Sequence, residues 1–116
     1  MNKKYRLRKK SDFQSTYKKG RSLGHPLLVM IYRKTNKSDI RVGFSITKKF
    51  GKAVKRNRIK RQLREIVRSQ LNKLNPGYDI IFVVRKEAGE ASFKDLESAV
   101  NNLLIRGKLY RQSDTE

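Results

Sequence analysis

The run Arg56-Asn57-Arg58-Ile59-Lys60-Arg61-Gln62-Leu63-Arg64 packs five Arg and Lys side chains and two amides into a short stretch. Guanidinium and ammonium groups neutralise phosphate oxygens and hydrogen-bond to them, and the Arg fork does so with two parallel bonds. Ten Lys or Arg residues, and no Asp or Glu, lie between Asp39 and Glu65. A merely solvated helix face alternates sign and gains from Glu–Lys pairs four apart, whereas like charges at that spacing cost stability. The pattern therefore points to a phosphate-rich ligand.

Bond-breaking chemistry has no comparable constellation. His25 is the single histidine, beside Pro26, and there is no Cys, so neither a thiolate site nor a His cluster can form. A two-metal nuclease needs gathered carboxylates. Here the acids are scattered, with Glu87 and Glu90 the nearest pair outside a helix and the tail. Gly51-Lys52-Ala53 lacks the hydroxyl and the upstream Gly of a phosphate-cradling loop. No catalytic residue, metal ligand or bound cofactor is expected of the chain. If it serves an enzyme, another component does the chemistry.

Phe13 and Tyr17 stand four apart, on one face of a helix. That spacing suits a core pair, and it equally suits a floor on which unpaired bases stack. One ring can be buried on one side and open on the other, so both readings stand.

The whole chain carries the same message. Its 116 residues are enough for one domain, and 30 Lys plus Arg against 10 Asp plus Glu give a formal charge of +20. Small soluble domains carry a net charge of about 2–8. A body this positive repels itself unless nucleic acid, an anionic membrane surface or an acidic protein lies against it. No apolar run approaches the ~20 residues that span a bilayer, and no apolar stretch follows the basic N-terminus, so a cytoplasmic protein is expected. Asn36-Lys37-Ser38 reads as a surface turn.

These residues need elements to hold them. Residues 1–10 form a basic arm. Ser11, with Gln14 as capping-box partner, starts a short helix that Gly20 ends in the left-handed conformation. Leu27 to Arg33 is extended. After turn residues Thr35 to Asp39 comes a period-two strand, with Ile40, Val42, Phe44 and Ile46 on one face; the two strands read as an antiparallel hairpin. A basic loop at 48–53 leads to a long helix from about Val54 to Leu74, ended by Asn75-Pro76-Gly77. Tyr78 to Val84 is apolar enough for a strand covered on both faces. Ser92 caps a last helix with Phe93, Leu96, Val100, Leu103 and Leu104 on its apolar face, Gly107 ends it, and the tail 112–116 is expected to be disordered. At about 100° per residue, Ile59, Leu63, Ile66, Val67, Leu71 and Leu74 fall in one arc of the long helix. Asn57, Lys60, Arg61, Arg64 and Arg68 fall in the arc beside it, while Arg58, Gln62, Glu65 and Ser69 point away. Arg56 projects from the first turn.

The run from Lys48-Lys49-Phe50-Gly51-Lys52 through Arg64-Glu65 resembles the signature of the bacterial ribonuclease P protein family. Asp12-Phe13, Tyr17, Gly20 and Arg41-Val42-Gly43 extend the resemblance along nearly the whole chain. It implies an α+β fold, a two-layer α/β sandwich with a mostly antiparallel four-stranded sheet, of a kind shared with a ribosomal protein domain. It also implies a left-handed strand–helix–strand crossover, against the usual right-handed rule. The implied activity is the removal of the 5′ leader from precursor tRNA by a catalytic RNA that uses Mg²⁺. The protein would be a monomer, one copy per catalytic RNA. Carried over by residue, Arg56, Asn57, Lys60, Arg61 and Arg64, with Arg68 of the same stripe and Lys48, Lys49 and Lys52 of the loop, would face the catalytic RNA and the scissile region. Phe13, Tyr17 and Ser45 would line the leader cleft. In one place the chain departs from the family, which often has an aromatic on the cleft face of the strand after the first helix. That position here is Ile31, with Tyr32 as its neighbour on the opposite face, so either the register shifts or a stacking ring is missing. A ribosomal or ribosome-assembly protein would share the charge and fold but not the signature.

Overall fold

A computed structural model of the chain describes residues 2–112. After a tight turn (Lys3–Tyr5) come α1 (Lys10–Lys19), β1 (Arg21–Gly24), β2 (Leu28–Lys34) and β3 (Arg41–Ser45). A second turn (Lys48–Phe50) leads to α2 (Ala53–Arg68), a third (Leu71–Lys73) to β4 (Tyr78–Val84), and a fourth (Lys86–Glu90) to α3 (Phe93–Arg106).

The four strands form one sheet in the order β1-β2-β4-β3. β4 takes an inner place because it is apolar on both faces, and Ile80, Ile81 and Phe82 are all buried. It runs antiparallel to β2 and parallel to β3. The expected hairpin between β2 and β3 is therefore not formed. Residues 35–39 grip Gly77 instead: the Thr35 N–H donates to the Gly77 carbonyl at 2.7 Å, and the Gly77 N–H donates to the Asp39 carbonyl at 3.1 Å. Gly77 has φ 82°, a left-handed conformation that suits glycine. Its turn delivers β4 into the slot between the other two strands. The sheet is mixed, and β1 is a strand that the hydrophobic pattern did not reveal.

Cross-strand partners share a face. Leu28, Met30, Val42, Ile80, Phe82 and Val84 face the main core, completed by Ile59, Leu63, Ile66 and Val67 of α2 and Leu96, Val100, Leu103 and Leu104 of α3. α1 packs on the opposite face. A Cβ on Gly43 would lie 2.5 Å from Phe13 Cζ, and one on Gly20 would lie 3.1 Å from Ile31 Cγ2.

Several boundaries differ from the sequence expectations, each for a local reason. α1 is capped by Lys9, not by a Ser11 box: the Lys9 carbonyl accepts from the Asp12 and Phe13 N–H groups. Gly20 has φ −83° and is not left-handed. What demands glycine there is crowding, since a Cβ would meet the Thr16 carbonyl oxygen at 2.5 Å. α2 stops at Arg68, short of Leu74, where the Ser69 hydroxyl donates to the Ile66 carbonyl and buried Gln70 turns to bond Asn101. α3 has the expected Ser92 cap as a full capping box with Asp95, both bonds at 3.1 Å. Phe93 precedes its buried face and is 40% exposed. Gly107 does cap α3, but the positive φ falls on Lys108. The basic arm is seated against β3: Leu7 is buried and its N–H donates to the Val42 carbonyl at 3.0 Å. Of the expected disordered tail, 113–116 lie outside the described residues.

Candidate nucleic-acid interface

Ile59, Leu63, Ile66 and Val67 anchor α2 in the core, and this fixes where its charges point. Lys60 and Arg64 are half-buried beside that seam, and Asn57 and Arg61 are exposed. Lys60 and Arg64 line a cavity of about 120 Å³ with Arg6, Arg8, Phe13 and Phe44. The α2 stripe, the basic arm and the first aromatic of α1 thus meet at the β3 edge of the sheet. Arg6 and Arg8 belong to this cluster and were not singled out by the sequence pattern.

The remaining basic residues divide. Arg56 donates from Nη1 to the Gly51 carbonyl at 2.5 Å. It braces the turn that carries Lys48 and Lys49, both exposed, just ahead of Lys52 at the α2 N-cap. Arg68 forms two hydrogen bonds to Glu65, which hold the Glu65 carboxyl below and the Arg68 guanidinium above their ordinary pKa values. Arg68 also borders a different hollow, with Tyr5, Asp39 and Arg111. The compact part of the stripe therefore ends at Arg64. Arg58 is exposed and lines a separate hollow with Lys52 and Val54, apart from the cavity of Lys60 and Arg64. Gln62, expected to point away, is half-buried, and its Oε1 has no hydrogen-bond partner.

The cleft residues follow from register. Ile31, Ile81 and Gly43 are partners across the sheet, and so are Val29, Val83 and Ser45. Phe13 sits over Gly43, so both rows face α1. Ile81 is fully buried beneath the helix, whereas Val29, Val83 and Ser45 stay partly open and form a floor beside it. Phe13 and Tyr17 have ring centroids 6.3 Å apart with planes tilted by 44°. Phe13 is half-buried and Tyr17 is 44% exposed, so the pair divides between core and surface. Tyr32 pairs with Ile80 and packs on the core side. Ile31 is therefore the residue on the α1 face, and this chain has no ring there.

A buried ion network, missed at the sequence level, sets the position of α1. Asp79 is 0% exposed. Both its oxygens accept from Arg41, from Nε at 2.9 Å and Nη2 at 2.8 Å, and Arg41 Nη1 reaches Asp12 of α1 at 3.1 Å. The Asp79 bonds are the main reason that the Arg41 guanidinium is held above its usual pKa. The signal was present: an Asp inside an apolar strand is a buried charge that must find a partner. Among the described residues, no three His, Asp or Glu side chains gather where they could hold a metal ion. His25 Nδ1 accepts the Leu27 N–H at 3.0 Å, and burial, then Arg106, keeps its pKa low. No helix is long and apolar enough to cross a membrane among the described residues.

Known proteins share this architecture and sequence. The Ribonuclease P family model matches residues 1–108. The chain is 46% identical over 102 residues to the ribonuclease P protein component of Clostridioides difficile strain 630, covering 86% of this chain and 89% of that one. It is 46% identical over 104 residues to the same component of Alkaliphilus oremlandii, covering 90% and 91%. The RNase P protein of Staphylococcus aureus superposes with a TM-score of 0.86 at 31% identity, over 92% of this chain and 98% of that one. The RNase P protein of Thermotoga maritima gives a TM-score of 0.80 at 35% identity, over 87% and 96%. Agreement of sequence and fold across nearly the full length of chains on both sides leaves one conclusion: this chain belongs to the bacterial ribonuclease P protein family.

Proposed function

We propose that this protein subunit of ribonuclease P docks on the catalytic RNA through Asn57, Lys60, Arg61 and Arg64, and holds the 5′ leader of precursor tRNA on the floor beside α1. The observation that carries this reading is the meeting of Lys60, Arg64 and Phe13 around one cavity. A cationic edge beside a partly open aromatic is what a single strand needs: charge for its backbone, a ring for its bases. Lys48, Lys49 and Lys52 extend the field along the loop, and Arg56 holds that loop in place. Arg68 adds charge at the far end of the helix. Ser45, Val29 and Val83 provide a small, flat floor. Ile31 offers apolar contact in place of stacking, which weakens the grip on bases at that strand.

In this reading the protein supplies no catalytic group. The Mg²⁺ that serves cleavage belongs, in this reading, to the RNA subunit. By neutralising phosphates where two RNAs approach, the stripe lowers the divalent-ion concentration needed to bring them together. One monomer serves each catalytic RNA, in the cytoplasm.

Precursor-tRNA cleavage with and without the catalytic RNA tests the reading. The protein alone should cleave nothing. With the RNA, an Arg61→Ala/Arg64→Ala variant should be impaired at low Mg²⁺ and recover as Mg²⁺ rises. Normal cleavage at low Mg²⁺ by the folded double variant overturns the assignment. Affinity for the catalytic RNA should also fall by several log units per log unit of salt if ~5 phosphates are engaged.

A further inference from the structure

A second basic hollow lies at the opposite end of the sheet from the cleft floor. Its volume is about 460 Å³, and Lys19, Arg21, Arg33 and Lys34 line it together with Tyr32 and Tyr78. No acidic residue lines it. Lys19, Arg21 and Lys34 are exposed and form no salt bridge among the described residues. Arg33 leans toward Asp79 at 3.6 Å, but both Asp79 oxygens are already taken by Arg41. The Arg33 Nε is buried without a hydrogen-bond partner. Four cations thus surround one concavity, and among the described residues the one carboxylate within ion-pairing distance of any of them, Asp79, is shared with Arg41.

This hollow is separate from the site described above. Along β2, Arg33 lies four residues beyond Val29 of the cleft floor, roughly 13 Å away, and α1 covers the sheet between them. Across the sheet, β1 stands three strand spacings from β3, roughly 14 Å, so the hollow is also remote from the cavity of Lys60 and Arg64. A strand bound in the cleft leaves these cations unneutralised. The hollow has the size of a small-ligand site. Its lining, cationic with two half-buried tyrosines, matches the charged and flat surfaces of a nucleotide backbone.

We propose that this hollow binds the sugar–phosphate backbone of RNA at a second point, so that the subunit bridges two RNA segments across its sheet. The inference rests on the RNA-binding reading but on none of the residues that carry it. Two full-length variants test it. Arg21→Ala/Lys34→Ala removes two exposed cations. Lys34→Cys introduces the only thiol in the chain, which can carry a photo-crosslinker. With the catalytic RNA, the double variant should lower the slope of log affinity against log salt by about one to two, while its melting temperature stays unchanged. The crosslinker should label RNA in the holoenzyme bound to precursor tRNA. A label on the catalytic RNA makes that subunit the source of the second segment, and a label on the leader makes it the substrate. An unchanged slope with no crosslink overturns the proposal. Lys60→Ala/Arg64→Ala, measured alongside, separates the two failures. If it alone loses affinity, only the second contact is wrong; if neither variant loses affinity, the docking stripe falls as well.

Discussion

Gly43 decides how close α1 comes to the sheet. The space a Cβ would occupy belongs to Phe13 Cζ at 2.5 Å and to the Leu7 carbonyl oxygen at 3.1 Å. Gly43→Ala should therefore push the ring out of its seat, at a cost of about 1–3 kcal/mol. Urea denaturation reads the loss, and leader-dependent precursor affinity should fall with it. A variant as stable as the parent would mean that Phe13 yields freely. At this scale the sequence was informative about types and silent about partners. Lys60 and Arg64 were legible because they flank an apolar seam of fixed period. Arg6 and Arg8 were not, because a basic arm has no periodicity to say what it lies against. The Arg68–Glu65 pair was readable in principle from its spacing of three on a helix.

Among elements, α1 matters most, and it is held by charge as well as by packing. Asp79 lies on the central strand, Arg41 on the edge strand and Asp12 on the helix, so a single guanidinium ties three elements together. Asp79→Ala leaves a largely buried arginine without its main partner and should cost about 3–5 kcal/mol. Asp12→Ala, nearer solvent, should cost about 1 kcal/mol. Thermal or urea melts check both, and similar small losses for the two would show that Asp79 is not the keystone. The strands and helices themselves were mostly legible from hydrophobic period. Their neighbours were not. The alternation from Ile40 to Ile46 marks a half-buried strand but cannot name the strand beside it. The answer lay in Tyr78 to Val84, whose faces, covered on both sides, suit the middle of a sheet.

For the whole molecule, the charge of +20 remains the dominant fact. Within the described residues, acids meet bases in only five close pairs, so much of the repulsion is uncompensated. A polyanion that binds only the folded form at a hundred times its Kd stabilises by about 2.7 kcal/mol. In a domain of this size that raises the melting temperature by about 10 °C or more. Differential scanning with and without heparin reads this shift, and no shift would show that the fold tolerates its charge unaided. Composition disclosed the need for an anion. It did not disclose that the cations gather in separate places on opposite sides of α1, because that depends on which strand ends lie together.

The order β1-β2-β4-β3 has a consequence for how the chain is made. Synthesis releases Arg56 to Arg64 well before Tyr78 to Val84. Until the last strand emerges, β2 and β3 share no neighbour, and the sheet under α2 lacks the strand that joins its two parts. Such a non-local pairing is slow to close. The growing chain therefore displays its RNA-seeking charge while its folded scaffold is still incomplete. Folding is a late event that waits on the segment placed, in space, at the middle.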